Sequence, residues 1–198
     1  MRGGVSRGAF SGHHSPEDFG DVVRQVWLTP GRFFRRLDPE GGLLRPALFA
    51  SLVLYLGLLF DELLRVVWRL EFNYGLLYAA LPGLVVSLVL APLLVVGLSV
   101  LVLTVLDGAP SRRKFGPVFR ALGYASAIGL VLPFPYAPFF ALPYGLYTAT
   151  VAVKEVLSIG WKRAMTGTLI PLGAVLLILF LLTGPDEAYQ LLVNPPGE

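Results

Sequence analysis

Residues 76–106, from "LLYAALPG" to "LSVLVLTVL", run for thirty-one residues without a charge. As a helix at 1.5 Å per residue the run reaches about 46 Å, against about 30 Å of hydrocarbon in a bilayer. Nothing in a soluble domain of 198 residues hides such a segment. Four more apolar runs share the chain: 46–60, 121–132, 136–153 and 164–183. The run at 164–183 spans alone, and 46–60 does so if its helix continues through "DELLRVVW". The runs at 121–132 and 136–153 are short, with the proline-dense stretch "PFPYAPFFALPY" between them.

The composition agrees. The chain is 55% hydrophobic and only 15% charged, with mean hydropathy +0.69, against about 25% charged in an average soluble domain. It has no cysteine, which excludes disulfides and thiolate metal sites.

Charge placement orients the runs. Basic residues accumulate on the cytoplasmic side of membrane proteins. Arg2, Arg7, Arg24, Arg32, Arg35, Arg36 and Arg45 precede the first run. Arg112, Arg113, Lys114 and Arg120 lie between the second and third, and Lys154, Lys162 and Arg163 between the fourth and fifth. Only Arg65 and Arg69 fall between the first and second, balanced by Asp61, Glu62 and Glu71. Five crossings with the N-terminus in the cytoplasm and the C-terminus outside satisfy this without exception. Merging the third and fourth runs would put a basic loop on the wrong side. The expected fold is an all-α integral membrane bundle of five transmembrane helices, multi-pass in the inner (plasma) membrane.

The proline stretch reads as the outer turn of a helical hairpin. Pro133 and Pro135 stop the third helix, since each lacks an N–H and restricts the residue before it. Pro138 opens the fourth helix, and Pro143 kinks it. Tyr136 and Tyr144 suit the membrane–water interface. Pro92, midway along the longest run, predicts a kink or tilt there.

Small residues recur every four positions at Gly83, Ser87 and Ala91, at Gly123 and Ala127, at Ala125 and Gly129, and at Gly145 and Ala149. That spacing lets helices approach closely. Packing within the chain is its first use; a homo-oligomer through one such face is the alternative.

Ahead of the first run, "DFGDVVRQVWLTPGRFFRRL" carries Phe19, Val22, Val23, Val26 and Trp27 on one helical face. Thr29 and Pro30 then read as an N-cap and a first-turn proline. A second short helix carries Phe33, Phe34 and Leu37 beside Arg32, Arg35 and Arg36. Mixed aromatic and basic residues predict interfacial amphipathic helices on an anionic inner leaflet. The domain reading is a disordered tail over 1–17, this interfacial segment over 18–42, the membrane domain over 43–183 and a short outer tail over 184–198.

These features together resemble a known family. A "W-x-x-P-x-x-F-F" segment, here Trp27, Pro30, Phe33 and Phe34, precedes the first span. "GY" opens the third as Gly123 and Tyr124. A proline-rich outer turn follows, and "KEVLSIGWKRA" at 154–164 leads into the fifth span. The pattern is similar to the Yip family, the Rab-GTPase-interacting membrane domain, in its short prokaryotic form. Eukaryotic members also carry "D-L-Y-G-P", which this sequence lacks, so Rab binding is not carried over. The resemblance implies a non-enzymatic bundle for membrane organisation or partner recruitment.

Catalytic chemistry is not written in the residues. His13 and His14 adjoin each other near the N-terminus without converging ligands. No GxSxG, HExxH or phosphate loop occurs, and neither an enzyme nor a bound cofactor is expected. Asp107 and Glu155, at span ends, are expected to pair with Arg112, Arg113 or Lys162 and hold the loops. The candidate partner- or lipid-binding surface is Trp27, Arg32, Phe33, Phe34, Arg35 and Arg36 with Arg112, Arg113, Lys114, Lys162 and Arg163. Its expected occupants are anionic lipid and an unidentified membrane or cytoplasmic protein, not nucleic acid. The competing function is a small channel or transporter subunit.

Overall fold

The computed structural model describes residues 18–38, 40–69, 75–109, 111–134 and 136–183. The expectations for the two tails, for His13 and His14, and for Pro135 lie outside the described residues. The described chain is all-α: α1 (Phe19–Leu28), α2 (Pro30–Arg36), α3 (Leu44–Arg69), α4 (Gly75–Asp107), α5 (Arg112–Ala125), α6 (Ala137–Leu157) and α7 (Trp161–Thr183). A 3-10 segment, Ser126–Val131, continues α5.

Among the described residues α3 and α4 are long and apolar enough to cross a membrane, over Leu44–Val67 and Ala80–Asp107. Only 22% and 28% of their most apolar windows are buried. A core helix of a soluble protein would be mostly buried. Instead α4 exposes Leu81, Val85, Val89, Leu93 and Leu94 in a continuous apolar belt, far more than a water-soluble monomer tolerates.

The first run does continue through "DELLRVVW", because α3 reaches Arg69. α4 passes unbroken through Pro82 and Pro92. The third run differs from expectation. Its helix begins at Arg112, nine residues early, since "RRKFGPVFR" is itself amphipathic. It ends as a 3-10 segment at Val131, just before Pro133. Pro138 lies in the first turn of α6, as expected, after Tyr136 in the left-handed region at φ 62°.

α5 and its 3-10 extension sit centrally, against α3, α4, α6 and α1, while α7 packs between α4 and α6. Small residues make this possible. Ala121, Ala125 and Ala127 are buried, and a Cβ on Gly123 would stand 3.0 Å from both the Cβ and the carbonyl oxygen of Pro46. Ser87, Ala91 and Ala149 are buried too. These faces of the small-residue stripes pack within the chain.

Buried hydroxyls return to their own helices. Ser51 donates to the Ala47 carbonyl, Ser87 to Leu84 and Ser99 to Val95. Thr150 and Thr168 join α6 to α7 through a 2.7 Å hydroxyl contact.

Candidate functional site

α1 and α2 form a helical hairpin that is folded into the bundle. The apolar stripe read from the sequence faces inward: Val22, Val26, Phe33 and Phe34 are buried in one core with Phe49, Ala121, Ala127 and Val151. Rings meet across four elements. Phe19 meets Phe49 at 5.0 Å and Phe49 meets Tyr124 at 5.2 Å, both tilted, and Phe33 meets Tyr124 edge to face at 5.5 Å. Such pairs add about 0.5–1.5 kcal/mol each beyond burial.

The hairpin reaches well up the bundle. The Trp27 indole N–H donates to the Ala127 carbonyl at 3.1 Å, and the Tyr144 hydroxyl donates to the Trp27 carbonyl. From there α2 runs beside α6: Gly31 lies next to Val151 and Arg35 pairs with Glu155 at 3.1 Å. Tyr144 and Glu155 stand about 16 Å apart along α6 at 1.5 Å per residue. The apex at Thr29–Pro30 is therefore set back from the end of the bundle where Arg35 emerges. Pro30 is at the first helical position, as expected. The Thr29 hydroxyl caps nothing; it turns back to the Gln25 carbonyl at 3.3 Å. The Thr29 backbone carbonyl instead accepts from Arg32 and Phe33.

This corrects the surface reading of Phe33 and Phe34. Both rings are core residues, Phe34 at 1% exposure, and Trp27 is committed to Ala127. The cause is that α3, α5 and α6 offer the stripe apolar side chains to pack against, at Phe49, Ala121 and Val151.

Charge gathers at the end of the bundle where α3, α5 and α7 begin and α4 and α6 finish. Two carboxylates organise it. Asp107, at the end of α4, receives Lys114 of α5 at 2.8 Å and Arg163 of α7 at 3.1 Å; Arg163 also donates to the Leu106 carbonyl. Glu155, in the last turns of α6, receives Lys154 at 2.6 Å and Arg35 at 3.1 Å. The Lys154 hydrogen bond, then that from Arg35, holds the Glu155 carboxyl below its ordinary range. The expected pairing by Asp107 and Glu155 is present with other bases than Arg112, Arg113 or Lys162.

Those three remain on the surface. Arg32, Arg36, Arg112, Arg113 and Lys162 are exposed, and among the described residues none of them joins an ion pair. Lys114, Arg163 and Arg35 are exposed but engaged. Arg120 is different: only 5% exposed, it donates to the Gly41 carbonyl and fastens the α2–α3 connection. A lone base in the apolar context "VFRAL" was the available signal. Beside it lies a cavity of about 170 Å³ lined by Phe34, Arg35, Asp38, Pro117 and Glu155.

Among the described residues no group of His, Cys, Asp or Glu has metal-holding geometry. Gly123 and Tyr124, read as family-like, are where α5 meets Pro46 of α3 and the Phe33–Phe49 rings.

No curated protein and no solved structure matches the chain significantly. The family model of the Yip1 domain matches residues 24–183. The match begins inside α1 and takes in α2, in keeping with a hairpin that shares the bundle's core. It covers far more than half of the chain, and the protein belongs to the Yip1 domain family.

Proposed function

We propose that this Yip1-domain protein crosses the inner membrane five times, through α3, α4, α5 with its 3-10 segment, α6 and α7. In this reading its basic end faces the cytoplasm and its C-terminus lies outside. It works without catalysis, as a scaffold or partner-recruiting adaptor. The topology is supported by the ion pairs Lys114–Asp107–Arg163 and Arg35–Glu155. They gather at one end the helix termini that an alternating five-span path requires, and that end is the basic one.

The observation that carries the functional reading is the set of exposed bases around those pairs. Arg32, Arg36, Arg112, Arg113 and Lys162 come from three separate segments. They surround carboxylates whose charge is already neutralised. On an anionic leaflet each such base contributes about 1 kcal/mol. The surface is therefore basic rather than aromatic, with the rings below serving to hold it in place.

The test is the variant Arg112→Gln, Arg113→Gln, Lys162→Gln in the full chain. The wild type, extracted in mild detergent, is expected to retain anionic phospholipid in excess of its share of the membrane. The variant is expected to lose most of that excess at an unchanged melting temperature. Equal retention by both proteins would remove the lipid surface from the proposal. Loss of a specific co-purifying protein in the variant alone would favour the adaptor role.

A further inference from the structure

A groove of about 280 Å³ lies between α3, α4 and the 3-10 segment. Its floor is Ala50, Val53, Ala91 and Val95, all buried. Its rim is Leu58, Leu94 and Leu132, which are 37%, 55% and 41% exposed. Just beyond the rim the Phe60 and Phe134 rings meet at 6.3 Å and tie α3 to the turn after the 3-10 segment. Two glycines, Gly57 and Gly129, meet at its wall, with the Gly129 carbonyl 3.8 Å from where a Gly57 Cβ would stand. Ser126, the polar side chain on its wall, donates its hydroxyl to Gly123 at 2.6 Å.

Its depth identifies the environment. Ala50 to Leu58 lie about 9–21 Å into the Leu44–Val67 span, and Ala91 to Val95 about 16–22 Å into the Ala80–Asp107 span, at 1.5 Å per residue. The groove therefore opens at mid-span, onto the same belt of exposed leucines and valines that α4 presents along its length. The one polar side chain on its wall, Ser126, already donates to Gly123, and a cavity this apolar offers water too few partners to hold it. Left empty, its walls forfeit dispersion contacts that a filling group restores. A second helix, about 10–12 Å across with its side chains, is too wide to enter.

We infer that the groove is a lateral binding site for one acyl chain of a membrane lipid, entering between Leu58, Leu94 and Leu132. The inference rests on the membrane-spanning reading of α3 and α4. The site selects for a flexible hydrocarbon chain, because its wall is apolar, narrow and free of charge. The bound chain lies against α3, α4 and the 3-10 segment, and so acts as part of the bundle's packing.

The full-length protein in proteoliposomes containing phosphatidylglycerol with a mid-chain diazirine tests this. On illumination, adducts are expected to concentrate on groove residues over the belt residues Val85 and Val89. Ala91→Trp fills the groove from α4 and Gly57→Leu from α3. Each is expected to lower the groove adducts several-fold and leave those at Val85 and Val89 unchanged. Two variants from different helices guard against a folding defect in one. Equal adduct density at groove and belt, insensitive to both fillings, would mean bulk lipid only and overturn the site. Efficient disulfide pairing of two chains through Leu94→Cys without groove adducts would assign the groove to a second copy instead. Labelling of Leu94→Cys by a water-soluble maleimide in sealed proteoliposomes would overturn the spanning reading itself. Protection of that cysteine without groove adducts would sink the acyl-chain site alone.

Discussion

The indole N–H of Trp27 donates to the Ala127 carbonyl, joining residues one hundred positions apart at 3.1 Å. One side of the contact is the last turn of α1, the other a 3-10 segment at the centre of the bundle. Trp27→Phe keeps the apolar ring and removes the indole N–H that donates to that carbonyl, for an expected loss of about 1 kcal/mol. Trp27→Ala removes the ring as well and is expected to cost about 3 kcal/mol. Thermal unfolding in detergent checks both. Equal melting temperatures for the two variants would detach the hairpin from the core.

Phe34→Ala is expected to destabilise by about 3 kcal/mol, since the ring is buried under α6. Arg36→Gln, one turn-face away and exposed, is expected to leave the melting temperature unchanged. Their comparison separates the packing side of α2 from its charged side. If Phe34→Ala melts like the wild type, the ring is not a core residue.

Gly123→Ala and Gly167→Ala differ in what the new methyl meets. At Gly123 it meets the Pro46 backbone and ring at 3.0 Å. At Gly167 it meets the Leu106 side chain, with Cδ2 at 2.6 Å and Cγ at 2.7 Å, so the whole side chain must move. Overpacking costs about 1–3 kcal/mol where nothing can yield. Both Gly123→Ala and Gly167→Ala are expected to fall in that range. A Gly123→Ala protein that melts like the wild type would contradict the close approach of α5 to α3.

Glu155 gives a pH dependence with a defined sign. Its carboxyl is held below the ordinary 4.5 by Lys154 and then Arg35. A lowered carboxylate contributes stability that is fully present above 4.5 and is lost as pH falls through the lowered value. Glu155→Gln is expected to cost roughly 1 kcal/mol or less at neutral pH, because Arg35 is exposed and screened. The gap between variant and wild type is expected to close below pH 4.5. A gap that stays constant from pH 7 down to acid would exclude the ion pair as its cause.

Single cysteines at Ser111 and Ala137 in this cysteine-free chain test the proposed topology. Ser111 precedes α5 and Ala137 opens α6. The two are expected to label from opposite sides of the membrane, Ser111 from the cytoplasm. Labelling from one side would end the five-span reading.

Features that depend on runs and sums of residues are legible without the fold. The uncharged stretch 76–106 dictates a long apolar helix whatever surrounds it. The prolines at 133 and 138 set the turn between the 3-10 segment and α6, because a missing N–H acts locally. The family was readable from Trp27, Pro30, Phe33, Phe34, Gly123 and Tyr124 in their order. Tertiary structure alone decided where amphipathic segments place their apolar faces. The stripe Val22–Val26 and the rings Phe33 and Phe34 suit a membrane surface and a protein core equally well, since both are apolar. Packing chose the core, where α3, α5 and α6 offered small residues and a ring at Tyr124. It also chose which bases meet Asp107 and Glu155. Ion pairing depends on distances between helix ends, and no local pattern carries those distances.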